Sequence, residues 1–272
     1  SSIAASLYGA KVDYGSFRIT NNIFALGGNT KSNLYGLYIR TGTLMDTYVS
    51  YNTIQISGSV AAGTNSSTAI YIADKTSIRD IRNNIFSNTR STTGGTNLHY
   101  AYYMPSITGT GAFTSNYNNF IASGTGGKLG YFNGVSVTSN NITGVDANSI
   151  STPTGFGSDL TLKSSFESTA SMPAVSLTEV SSDFNDIPRS VSNPLMGAIE
   201  SASVSNTVSV YNGSTLLASY INLKFAFDAI NAGTHTGTIT VKLTANETLP
   251  NSAVLNESGV GAANFSNVTI YP

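Results

Sequence analysis

Five aspartates, Asp13, Asp46, Asp74, Asp80 and Asp146, are the acidic side chains of residues 1 to 146. Inverting cleavage of a glycosidic bond needs two carboxyl groups facing one groove, and lyase chemistry needs a base with charge neutralisation, often by Ca²⁺. None of the five recurs one repeat later in the same register, so no column of carboxylates is built. The densest charge is Arg79-Asp80-Ile81-Arg82 with Asp74-Lys75 nearby, and a solvated strand face accounts for it as well as catalysis does. His99, beside a tyrosine strand, and His235, in a Thr-rich turn, are too far apart in sequence to suggest a metal pair, so packing or hydrogen bonding is expected of each. Serines abound without a G-x-S-x-G elbow. The glycines from 124 to 130 lack the helix a phosphate cradle requires. With no cysteine there is no thiol chemistry either. No catalytic, cofactor-binding or metal-ligating residue is assigned, and no cofactor is expected.

The elements that carry these residues repeat. Arg82-Asn83-Asn84-Ile85-Phe86 has relatives at Thr20-Asn21-Asn22-Ile23-Phe24, Tyr51-Asn52-Thr53-Ile54, Tyr117-Asn118-Asn119-Phe120 and Asn140-Asn141-Ile142. A second marker falls between them: Tyr38, Tyr71, Tyr102 and Tyr131, each in a short apolar run. A period near thirty residues signals a repeat architecture. Residues 15 to 145 hold no amphipathic run of ten or more, which argues against helical repeats, and no hairpin pattern that would make propeller blades. Short strands with irregular corners fit a β-solenoid of about five coils, and stacked asparagines can pair their amides up and down the column. Within the strands Phe17 and Ile19, Ile78 and Ile81, and Val135 and Val137 are expected to point inward, with Arg18, Arg79 and Asp80 facing water. The tyrosines form either an internal aromatic stack or an exposed row able to stack on sugars.

Composition narrows the partners. Thirteen basic and 14 acidic residues give a net charge of −1, without a basic stripe, so nucleic acid is not an expected partner. No apolar run is long enough for membrane insertion. Low charge, abundant Ser, Thr, Asn and Gly, 15 Tyr and no Trp suit a secreted or cell-surface β-protein. Seven N-x-[ST] triplets, at Asn65, Asn141, Asn212, Asn246, Asn256, Asn264 and Asn267, are mostly chance in so Asn-rich a chain. Ser1-Ser2-Ile3 reads as a processed or excised start.

From Asp146 to Glu200 the asparagine marker fades and prolines enter, as in the last turns plus an irregular cap. Asp183-Phe184-Asn185-Asp186-Ile187-Pro188-Arg189 followed by Pro194-Leu195-Met196-Gly197-Ala198-Ile199-Glu200 resembles the closing segment of bacterial right-handed parallel β-helix proteins of the pectate-lyase-like superfamily. There a D-x-x-G-x-x-R stretch precedes P-x-x-G-A-x-E; here Asn185-Asp186 stands in place of the glycine step. The resemblance implies an all-β, right-handed parallel β-helix, a capping role for Asp183 and Asp186 rather than Ca²⁺ binding, and polysaccharide lyases or hydrolases among the relatives.

Residues 201 to 272 differ. Val208 to Leu217 reads as a hairpin turning at Asn212-Gly213. Ser219 is expected to cap a helix from about Tyr220 to Ala232, stopped by Gly233, with Leu223, Ala226, Phe227 and Ile230 on one apolar face widened by Ile221, Phe225 and Ala229. Ile239, Val241 and Leu243 alternate in one strand, Val268 and Ile270 in another. Residues 226 to 237 resemble the opening of the same β-helix family, where a capping helix leads into the first coil. The chain thus divides into coils and cap at 1–200 and a hairpin, capping helix and first strands at 201–272.

A solenoid whose first coil is uncapped is expected to associate, since proteins cover such ends. The expected function is an extracellular structural protein whose C-terminal segment covers the first coil of the next copy, giving a head-to-tail filament or tandem array. Leu7, Tyr8, Leu223, Phe227, Ile230 and Ile270 are the candidate interface. The alternative is a carbohydrate-binding adhesin, or a polysaccharide lyase or hydrolase, with polysaccharide as partner.

Overall fold

A computed structural model describes residues 5–40, 46–61, 65–154, 166, 172–186, 188–200, 206–220, 222–246 and 252–272. Ser1 to Ile3, Ile187 and Ile221, each used above, lie outside the described residues. Among the described residues the chain is a β-solenoid of about 7 turns with a single short helix, 45% strand and 4% helix, the all-β class expected where amphipathic runs are missing.

Three strands recur in each coil, and a short fourth follows in two of them. β1 (Ser6–Val12), β2 (Phe17–Thr20) and β3 (Ile23–Leu26) form the first, and β4 (Asn33–Ile39), β5 (Thr47–Ser50) and β6 (Thr53–Ile56) the second, with β7 (Ser59–Ala61) after them. The third holds β8 (Ser67–Ile72), β9 (Arg79–Arg82), β10 (Ile85–Asn88) and β11 (Ser91–Thr93); the fourth holds β12 (His99–Met104), β13 (Phe113–Asn116) and β14 (Asn119–Ala122). Strands of one kind stack in parallel: β1-β4-β8-β12 and then β15 (Gly127–Phe132), β2-β5-β9-β13, and β3-β6-β10-β14. A separate turn follows each strand, so every coil needs only short β-type runs, which is the pattern the markers carry.

Inside the coils Leu37, Ile39, Val49, Ile54, Ile70, Ile81, Phe86, Tyr102 and Phe120 form one continuous core. Two inward assignments change. Arg79 is fully buried on the same side as Ile81, its guanidinium held by the Asp74 carbonyl at 3.0 Å and paired with the Asp74 carboxylate at 3.6 Å. The strand alternates from Arg79 rather than from Ile78, and the buried charge persists because a partner and hydrogen bonds come with it. Val135 is 63% exposed and only Val137 packs on the core. Here β16 (Val135–Val137) runs antiparallel to β15, turned by Asn133 and Gly134 at φ 49° and 84°. Two left-handed residues in succession make a two-residue hairpin turn, so parallel winding of this sheet stops at β15.

A second core lies outside the asparagine corner. Tyr51, Ile85, Ile121 and Ile150 meet Met172, Ala174, Leu177, Val180 and Met196 there. The residues 172–186 and 194–200, expected as an end cap, instead run along the stack as a strap. It contacts the fourth coil where Asn119 donates to Met172 Sδ, the third where Asn83 donates to the Val175 carbonyl at 2.7 Å, and the first where Asn21 donates to the Ser182 carbonyl at 2.7 Å.

The chain forms two compact units, one running to Arg189 and including Pro194–Glu200, the other made of Ser190–Asn193 and the residues from 201 onward. In the second unit β17 (Val208–Asn212) and β18 (Thr215–Tyr220) form the expected hairpin, with Gly213 at φ 60° in its turn. Ser219 lies in β18 and is not a cap. The cap is Asn222, whose side chain accepts from the Phe225 amide, and α1 spans Leu223–Asn231. Gly233 ends the helix at φ 73°, as expected of a C-terminal glycine. Then β19 (Gly237–Leu243) and β20 (Phe265–Tyr271) pair in parallel, in the order β18-β17-β19-β20. Ala226, Phe227 and Ile230 pack on Val208, Val210, Ile239 and Val241.

Candidate functional site

The sheet β1-β4-β8-β12-β15 carries aromatic rings on its outer face. Tyr38, Tyr71, Tyr103 and Tyr131 occupy one register position in successive coils. Their rings stack at 4.6, 5.3 and 4.7 Å, with interplanar angles of 2, 12 and 10°. Beside this column Tyr8 stacks on Tyr35 at 5.2 Å, and Tyr100 meets Tyr103 edge-on at 5.0 Å. The sequence reading placed Tyr102 in the column; its neighbour Tyr103 takes that place, and Tyr102 is fully buried against Phe120. A one-residue difference moves a strand side chain to the opposite face.

The rings of Tyr38, Tyr71, Tyr103 and Tyr131 are half-buried, and a groove of about 430 Å³ opens between coils, lined by Tyr35, Thr68, Tyr71, Asn97, Tyr100 and Tyr103 among others. Burial pushes the Tyr71 hydroxyl up to about 12, so it stays a neutral donor and acceptor at ordinary pH. Asn97 is buried with both polar atoms of its amide unpartnered among the described residues. None of the residues lining the groove is acidic. Such a surface can stack on the apolar face of a sugar ring and hydrogen-bond its hydroxyls.

At the opposite corner the asparagines form two columns. Asn21, Tyr51, Asn83 and Tyr117 adopt φ 57, 57, 65 and 53°, the left-handed turn that lets the chain bend between two strands. The next residues, Asn22, Asn52, Asn84 and Asn118, form the expected ladder. Each donates its backbone N–H and side-chain amide to the Oδ1 of the one below: Asn22 to Asn52 at 3.0 and 3.1 Å, Asn52 to Asn84 at 2.9 and 3.0 Å, Asn84 to Asn118 at 3.1 and 3.0 Å. The fifth place falls to Ser149, whose hydroxyl accepts from the Asn118 amide at 3.0 Å; Asn141 sits in a loop and accepts from Asp146. The Asn22 Oδ1 accepts from no described residue.

At the same end the first coil is less buried than the second. Val49, Ile54 and Ile56 of the second coil are fully buried, while their partners Ile19, Phe24 and Leu26 in the first coil are only partly so. Leu7 and Tyr8 on β1 are 47% and 38% exposed. Of the other candidate interface residues, Ile270 on β20 is 45% exposed and Leu223 half-buried, whereas Phe227 and Ile230 are buried in the core of their own unit. The apolar face of α1 is therefore consumed locally, and the exposed apolar side chains of that unit are spread over β18 (Leu216, Leu217), the residues before β20 (Val254, Val260) and β20 (Ile270, Tyr271).

The aspartates considered for catalysis anchor turns. Asp80 pairs with Arg82 through two contacts at 2.6 Å, Asp46 accepts from the Ile78 amide, Asp74 from Thr76, and Asp13 pairs with Lys11. Asp146 is buried, which pushes its pKa up, and accepts from Ser115, Thr143 and Ser149. His99 lies between the Ser67 and Thr92 hydroxyls at 2.9 Å each, and burial lowers its pKa to about 4, so it is neutral. His235 meets the Tyr220 hydroxyl. Asp183 accepts from the amides of Asn185 and Glu200, and Asp186, standing where the resembling family has glycine, adopts φ 62°. Among the described residues no three His, Asp or Glu gather as a metal site, and no helix is long and apolar enough to cross a membrane. The chain matches no protein-family model, no curated protein and no solved structure.

Proposed function

We propose that the protein is an extracellular structural module, a β-solenoid that assembles head to tail with copies of itself into a filament or tandem array. The observation that carries this reading is the exposure gradient along the stack: the same apolar positions that are sealed in the second coil stand partly open in the first. Open apolar strands with free edges favour association. Contact between two different surfaces does not close on itself. The test is sedimentation and negative-stain microscopy over a concentration series. Growing species, with fibres at the upper end, are expected; a strictly monomeric protein at every concentration overturns the reading. A secreted or surface location accords with the scarcity of charge.

A second reading rests on the tyrosine face. Its stacked, half-exposed rings suit binding of a neutral polysaccharide, as an adhesin would bind one. Calorimetry against soluble polysaccharides is expected to give a complex that Tyr71→Ala weakens about tenfold, an amount typical of one aromatic contact. Equal affinity for the variant would exclude the face.

A further inference from the structure

We propose that the groove on the tyrosine face is a slot for one uncharged, flat aromatic ring, which takes the place of a ring missing from the second tyrosine column. This goes beyond the sugar-binding reading and stands without it, since that reading needs only the exposed edge of the first column.

The missing ring shows in the register. Along the first column Tyr38, Tyr71, Tyr103 and Tyr131 follow one another without a break, 4.6, 5.3 and 4.7 Å apart. The second column runs Tyr8, Tyr35, Thr68, Tyr100. Tyr8 and Tyr35 stack at 5.2 Å, so this position also spaces its rings by one coil. At Thr68 the side chain stops at a methyl and a hydroxyl. Tyr35 and Tyr100 are therefore two steps apart, which leaves the place of one ring between them. Among the described residues Tyr35 has a single parallel neighbour, Tyr8, and Tyr100 has none; their other ring contacts are edge-on. The groove of about 430 Å³ opens at this place, with Tyr71 and Tyr103 along it.

The walls select the occupant. The tyrosine rings, Leu98 and Pro105 supply apolar surface, and none of the residues lining the groove is charged. A charged guest would give up its hydration with no counter-ion to replace it. A sugar ring, with hydroxyls all round its rim, would press several of them against ring carbons, and each one left without a partner costs affinity. A flat aromatic ring instead meets tyrosines in the edge and face contacts that the columns already use, and a single hydroxyl on it can be partnered by Ser66, Thr68 or Thr96. The volume also suits, since small-molecule sites begin at about 300 Å³.

The probe is p-cresol, the tyrosine side chain as a free molecule, titrated against the full chain by ligand-observed NMR. Its saturated analogue, methylcyclohexanol, has the same outline without the flat ring. Saturable binding of p-cresol is expected, with the analogue about tenfold weaker, the size of one or two aromatic contacts. Thr68→Tyr, which fills the slot with the column's own ring, is expected to abolish binding while the native circular dichroism spectrum is kept. Tyr35→Leu, a change at a half-buried wall, is expected to weaken binding about tenfold. Equal affinity for p-cresol and its analogue, or binding unaltered in both variants, overturns the slot. Displacement of p-cresol by cellotetraose would give the groove to sugars, overturning this proposal and leaving the sugar-binding reading in force. Binding of p-cresol by a chain that binds no polysaccharide upholds the slot and removes that reading instead.

Discussion

Each ladder asparagine does two jobs with one amide. The Asn84 side chain donates to the Asn118 Oδ1 and to the Val49 and Arg82 carbonyls, while its own Oδ1 accepts the backbone and side-chain donors of Asn52. Removing it orphans groups above and below in a site sealed from water, and each unsatisfied buried group costs about 1–3 kcal/mol. Asn84→Ala is therefore expected to lower unfolding free energy by about 3 kcal/mol or more in urea titration. Asn22→Ala, at the partly exposed end, should cost about 1 kcal/mol or less. Repetition made the asparagines legible in the sequence, yet it did not say which of two neighbours turns the chain and which bonds along the stack. Both are asparagines in Asn21-Asn22 and Asn83-Asn84, and φ alone separates them. The same limit explains the exchange of Tyr102 for Tyr103: two adjacent aromatics fit either face, and parity is set by the coil above. Ser149 was invisible because a hydroxyl ends the ladder as well as an amide does.

Among the elements, the strap shows what periodicity cannot reach. Residues 172 to 200 alternate in no regular way, since their contacts come one per coil rather than one per turn or pleat. Their anchor is Arg189, whose guanidinium bonds the Leu195, Gly197 and Ala198 carbonyls and Asn21 Oδ1, pairs with Glu200 at 3.3 Å and lies 3.8 Å from the Tyr51 ring. Burial lowers the Arg189 pKa, but those partners keep the charged form useful. The D-R-E spacing of the resembling segment did point to these residues, though it gave no direction for the chain. Arg189→Ala leaves Glu200 buried without its cation, at a cost of about 3–5 kcal/mol. The expected result is faster hydrogen exchange and proteolysis across residues 172 to 186, with the tyrosine sheet still protected; unchanged exchange there would contradict the anchoring role. The helix was read better: its apolar face and its glycine stop were both visible, but Asn222 displaced Ser219 as cap because β18 extends to Tyr220.

Over the whole molecule the repeat spacing was enough to give a stack of short parallel strands. What remained hidden was the second unit's use of its own helix face, since sequence shows that a face is apolar but not what it packs on. The proposed assembly follows from what is left over: apolar rims and strand edges rather than charge. With a net charge of −1 and few ionic side chains, growth of the assembly should be nearly unchanged from low salt to about 1 M, where exposed ion pairs are screened. A steep loss of assembly with salt would point to a charged contact elsewhere.

The ladder also has a direction. At each step from Asn22 to Asn118 the Oδ1 of the later asparagine accepts from the earlier one, while the Asn52 and Asn84 nitrogens also bond the Ile19 and Val49 carbonyls of the preceding coil. The dipoles of the ladder bonds therefore add along the column, much as peptide dipoles add along a helix, and polarisation of each bond by the next concentrates negative potential at the Asn22 oxygen. Stacking coils makes the opening rim more attractive to a donor with every coil added, so the stack is electrically a one-way object.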